Sequence, residues 1–149
     1  MRIREWNYKD GEFSYGQRIA IGEILQNEDK TWYQRLKECW KELYGWNVRL
    51  LIPVLRVKML DRMTEGIRYW VEVEEKTLKY EPTAEENKAG LAKLNAEVGH
   101  LGTVKALAEK FGVDPDIILG WQWGKVYGIL FAELKESEYQ RRLMDSAKK

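Results

Sequence analysis

The chain has 149 residues, 44% hydrophobic and 33% charged, the balance of a globular domain rather than a disordered segment. Lys and Arg number 25 against 24 Asp and Glu, and a net charge of +1 supplies little general attraction to phosphate backbones or anionic membranes, leaving only a local basic patch to provide one. The single cysteine excludes an intramolecular disulfide, and the longest apolar runs, such as Leu50 to Leu55 with Pro53 inside, are too short to span a bilayer.

The opening MRIREWNYKDGE lacks the apolar stretch of a secretory signal, so the expected location is the cytoplasm. Trp6, Tyr8, Phe13 and Tyr15 alternate with polar residues around Asp10-Gly11, which predicts a short hairpin or arm over residues 1–15. Ser14 could equally cap a helix, because Ser14 with Gln17 has capping-box spacing ahead of Ile21, Ile24 and Leu25. Thr31 with Gln34 repeats the device. It opens a second helix with Trp32, Leu36, Cys39, Trp40 and Leu43 on one face and Gly45 as its stop.

The apolar link from Trp46 to Ile52 is expected to pack, and Pro53 suits the first turn of a third helix over 54–78. Leu60, Met63, Ile67, Trp70, Val71 and Leu78 form its stripe, with Glu72–Lys76 and Glu75–Lys79 as i,i+4 pairs on the wet side. Thr83 with Glu86 caps a fourth helix carrying Leu91, Leu94, Val98 and Leu101, weakened by Gly90, Gly99 and Gly102. A fifth runs over 103–111 to Gly112, and Asp114-Pro115 opens a sixth whose stripe continues as Val126, Tyr127, Leu130, Phe131 and Leu134. The charged segment 136–149 is expected to fray. The reading is an all-α single domain, residues 1–149, of five to six helices.

Catalytic chemistry is sparse. A Cys-His or Ser-His-Asp site would have to use the one histidine, His100. The one cysteine, Cys39, sits on an apolar helix face where a buried thiol is usually inert, and one His with one Cys cannot build an ordinary zinc site. Neither GxxxxGK[ST] nor GxGxxG occurs, so no phosphate cradle is predicted. Glu72, Glu74, Glu75 and the Glu85-Glu86 pair read as solvated or capping carboxylates. The expectation is a protein that is not an enzyme and has no cofactor or metal.

The stretch TVKALAEKFGVDPDIILGW has the local grammar of a helix-turn-helix. Leu107 and Ala108 would face a partner helix, Gly112 would make the turn, and Ile118 and Trp121 would close the core. Its second helix, however, opens with Asp114 and Asp116, which phosphates repel, and offers no Arg, Lys, Asn or Gln before Gln122. Sequence-specific nucleic-acid binding is therefore not expected.

Phe111-Gly112, Asp114-Pro115, Ile118-Leu119, Trp121 and the run from Lys125 to Leu130 resemble the C-terminal part of small helical proteins from tailed-phage and prophage structural modules, the tail assembly chaperones. WNYKDGEFSYGQRI and TWYQRLKECWKELYG are similar to the beginnings of those proteins. The resemblance implies a protein that binds a long, helix-prone tape-measure chain and keeps it soluble. A helix-turn-helix-like regulator and a structural connector of the virion are the alternatives. For the implied helix-in-groove contact, the candidate partner-binding residues are Trp123, Tyr127 and Phe131, one turn apart on one face. Trp121 falls on another side if the helix is continuous, which predicts it as core.

Overall fold

Ser14, Thr31 and Thr83 each accept from the backbone N–H three residues on, while Gln17, Gln34 and Glu86 reach back to the cap's own N–H. These reciprocal caps satisfy donors that a helix start leaves unpaired, and they fix where three helices begin. The computed structural model describes residues 12–147, and over them the chain is all-α. Its helices are α1 (Tyr15–Gln26), α2 (Trp32–Tyr44), α3 (Pro53–Thr77), α4 (Ala84–Lys88), α5 (Leu91–Val98), α6 (His100–Phe111), α7 (Pro115–Leu119) and α8 (Trp123–Ala147). A short 3-10 turn, Val48–Leu50, joins α2 to α3.

Among the described residues, eight helices stand where five or six are expected. Gly90 (φ 83°) and Gly99 (φ 51°) hold left-side backbone conformations that no helix can pass through, so the expected fourth helix becomes α4 and α5, and α6 begins already at His100. The sixth helix divides at Gly120–Gln122 into α7 and α8. Conversely, α8 runs to Ala147, through nearly all of the segment expected to fray.

The division at Gln122 has a visible cause. The Tyr15 N–H donates to the Trp121 carbonyl at 2.8 Å, and the Trp123 N–H donates to the Phe13 carbonyl at 2.7 Å. This isolated antiparallel bridge between Ser14 and Gln122 sets the starts of α1 and α8 side by side. The alternating aromatics Phe13 and Tyr15 thus pair with Trp121 and Trp123, distant in sequence. Residues 1–11, where the hairpin across Asp10-Gly11 is expected, lie outside the described residues.

One cluster of buried side chains draws on α1, α2, α3, α6, α7 and α8. Helix α1 is its hub, packed against α2, α7 and α8. A bidentate Arg18–Glu74 pair at 2.8 and 2.5 Å ties α1 to α3. In α3 the predicted stripe is buried at Leu60, Met63, Ile67 and Trp70. The Glu72–Lys76 pair forms at 3.9 Å, but α3 ends at Thr77 and leaves Lys79 beyond the helical spacing from Glu75. The link before α3 packs through Trp46, Val48 and Leu51, while Leu50 and Ile52 remain exposed. No described helix is long and apolar enough to cross a membrane.

Candidate functional site

Trp123, Tyr127 and Phe131 do form a series of rings along α8, at centroid separations of 6.3 and 6.1 Å. Their surroundings differ from the expected open groove. Trp123 is 4% exposed, stacked on Tyr15 at 5.3 Å and edge-on to Trp70 at 6.1 Å. It is a core residue, drawn inward by the backbone bridge to Phe13, and cannot serve as a surface anchor. Tyr127 is half-buried, its hydroxyl 2.8 Å from Thr77 Oγ1 and its ring against Trp70. Phe131 is half-buried on Tyr127, with Lys135 Nζ 5.7 Å from its ring centroid.

Trp121, expected in the core, is partly buried and packs against the core cluster from its edge, edge-on to Phe111 at 5.1 Å and with Lys125 Nζ 3.5 Å above its ring.

The concave surface lies on a neighbouring face of α8. Leu130, Glu133, Leu134, Ser137, Glu138 and Arg141 recur at i, i+3, i+4, i+7, i+8 and i+11, one stripe of a helix. Val126, one turn before Leu130, is fully buried. Beyond it the stripe lines three depressions of about 510, 320 and 540 Å³. The first two share Leu130 and Glu133; the last two share Tyr80, Leu134 and Ser137. They form one furrow, which from Leu130 to Arg141 is about 17 Å long at the helical rise.

The two ends of the furrow differ chemically. At one end α5 supplies Leu94 and Val98, α6 supplies Gly102, Ala106 and Leu107, and α8 supplies Leu130. Leu94 is 54% exposed. The charges there are matched, since Lys110 of α6 pairs with Glu133 of α8 at 2.5 Å. At the other end the lining carries Lys76, Lys79, Arg141 and Arg142 against Glu81 and Glu138, four cations to two carboxylates.

No protein-family model, curated protein or solved structure matches the chain. The chemistry of the site therefore rests on its own residues. Cys39 is fully buried, and burial pushes its thiol up to about 12, with Glu38 adding to the shift. Such a thiol is protonated and inert at neutral pH. His100 lies edge-on to Tyr15 at 6.4 Å. Glu72 and Glu74 are taken up by Lys76 and Arg18. Glu86 receives the Tyr80 hydroxyl at 2.7 Å, and that bond, with the Thr83 N–H, holds its carboxyl below the ordinary range. Among the described residues no three His, Cys, Asp or Glu side chains gather as a metal site.

The helix-turn-helix stretch folds as α6, a left-handed Gly112 (φ 64°) and α7 capped by Asp114, whose Oδ1 accepts from the Asp116 N–H at 2.9 Å. Leu107, Ala108 and Ile118 are buried as expected. The exposed start of α7 is Asp114, Pro115, Asp116 and Ile117, two carboxylates and two apolar side chains. Phosphates are repelled by that surface.

Leu94 and Val98 are legible in the sequence as a helical stripe, and Leu130 and Leu134 as part of another. Their meeting across an open furrow is not, because it depends on where Gly90 and Gly99 turn the chain.

Proposed function

We propose that this chain is a non-enzymatic binding protein, an assembly chaperone or adaptor that holds an amphipathic helix of a protein partner in the furrow beside α8. The observation that carries the reading is the largely apolar end of the furrow, where Leu94, Val98 and Leu130 line an open depression of about 510 Å³. An amphipathic helix laid in such a depression covers its own apolar stripe and the leucines together. That is the physical task of a chaperone for a helix-prone chain, and a tape-measure-like protein of a tailed phage is the partner that the sequence resemblance suggests. The binding residues in this reading are those of the furrow, with Phe131 and Tyr127 beside it, and Trp123 serves as support beneath.

The test is co-expression with a helical fragment of a tape-measure-like protein. Ala106→Trp fills the depression from an exposed position of α6, and Leu94→Glu puts a charge on its wall. Both variants are expected to keep the wild-type melting temperature and lose the ability to keep the fragment soluble. A fragment that stays soluble with both variants contradicts the furrow as the binding site.

A further inference from the structure

The furrow is chemically polar along its length, and that polarity describes its occupant. At the α5–α6 end the walls are mainly leucine, valine, glycine and alanine with Asn95 and Thr103 among them, and Lys110 and Glu133 neutralise one another at 2.5 Å. Toward the end of α8 the cations outnumber the carboxylates. The carboxylate Glu138 is already engaged by Lys135 at 2.8 Å. Arg141 is engaged too, donating from Nη1 to the Glu81 carbonyl at 3.0 Å with the Glu86 carboxylate 3.5 Å away. Lys79 and Arg142 are exposed, and neither holds a salt bridge among the described residues. An occupant spanning the furrow meets mainly apolar walls first and then an end where the lining cations are in excess. There Lys79 and Arg142 stand beside the Glu81 and Glu138 carboxylates, with Arg142 close enough to Glu138 to favour its charged form.

We infer that the furrow takes an amphipathic helix whose apolar stripe ends in acidic residues, with that acidic end lying on Lys79 and Arg142. This rests on the furrow being the binding site and adds the charge pattern of the partner. Electrostatic complementarity of this kind fixes the register of a bound helix and rejects a basic competitor more than it adds affinity. A phosphate backbone is a poorer match, because the other end offers it leucines and a neutralised pair.

The test uses the full-length protein and a fluorescent amphipathic peptide of about eighteen residues, longer than the furrow at the helical rise. Its versions end in a run of glutamates, glutamines or lysines, with matched helix content. The glutamate version is expected to bind about tenfold more tightly than the lysine version at low salt, the gap narrowing as salt screens it. Lys79→Glu with Arg142→Glu, both at exposed positions, is expected to reverse the order. Equal affinities for the three peptides, or an order that the double variant leaves unchanged, overturn the inference while leaving the furrow in place. Displacement of the glutamate peptide by a short DNA duplex as effectively as by unlabelled peptide also overturns it. If no version binds, or Ala106→Trp leaves binding intact, the furrow reading fails and this inference fails with it.

Discussion

The guanidinium of Arg141 lies over the ring of Tyr80, its carbon 4.6 Å from the ring centroid. Arg141 Nη2 also contacts the Tyr80 hydroxyl, and that hydroxyl donates to Glu86. The second half of α8 is thus fastened to the link between α3 and α4. Arg141→Ala is expected to raise amide hydrogen exchange over residues 135–147 several-fold while leaving α1 to α3 unchanged. The fastening also has a pH limit. Glu86 titrates below its ordinary 4.5 because Tyr80 and Thr83 donate to its charged form. A depressed carboxyl contributes above its unfolded pKa and loses that contribution as pH falls through the lowered folded value. Protection of the α8 tail should therefore persist through pH 5 and fall under stronger acid. Protection already lost at pH 5 would contradict this.

Trp123 should behave as a core residue. Trp123→Ala is expected to cost about 3–5 kcal/mol of folding stability, and Phe131→Ala clearly less, by denaturant melts. Trp123 Nε1 is buried with no hydrogen-bond partner among the described residues, so Trp123→Phe gives up packing but none of the described hydrogen bonds. Its cost should fall well below that of the alanine variant. Equal costs for the two would mean that the indole nitrogen has a partner in solution.

Alkaline pH should weaken the fold through Cys39 and Tyr44. Burial raises the thiol from 9.0 and the phenol from 10.0, each to about 12. A raised acid favours its neutral form in the folded state. The unfolded chain releases these protons first, so stability is intact below about pH 9 and declines as pH rises toward about 12. Cys39→Ala should lower stability at neutral pH and flatten the first part of that decline. Rapid labelling of the native thiol by a bulky reagent at pH 8 would contradict its burial.

Two glycines should respond to alanine in different ways. Gly112 sits at φ 64°, and a Cβ added there would meet nothing within 4 Å, so Gly112→Ala costs only backbone strain, about 1–2 kcal/mol. Gly112→Asn should recover part of that loss, since Asn tolerates the left-handed region. At Gly102 the added Cβ would lie 3.0 Å from Val98 Cγ1, so Gly102→Ala requires the Val98 side chain on the furrow wall to give way by a few tenths of an ångström. Its signature is altered peptide binding in the furrow rather than a large change in melting temperature.

Much of the helical scheme is written in local chemistry. Ser14, Thr31, Thr83 and Asp114 mark helix starts by the bonds they make, and Pro53 and Gly45 mark a start and a stop, so these boundaries are legible from single residues. The burial of Trp123 beside Phe13 and Tyr15 is not. It follows from two backbone hydrogen bonds to Phe13 and Tyr15, and no periodicity within α8 carries that information. The furrow is hidden from the sequence for a related reason. Its walls come from α5, α6, α8, the end of α3 and the link after it, and local spacing gives the face of each helix but not the gap between them.

Helix α5 hangs between Gly90 and Gly99, and among the described side chains neither it nor α4 contributes to the buried cluster. Little free energy of the folded core is therefore lost when α5 departs from its place. The segment from Thr83 to Gly99 should be the first that a protease opens, with the rest of the chain remaining folded around α1. The same looseness sets how the furrow discriminates among occupants. A wall that can shift accommodates helices of different girth at an entropic cost on closing, so selection falls on the occupant's charges more than on its width.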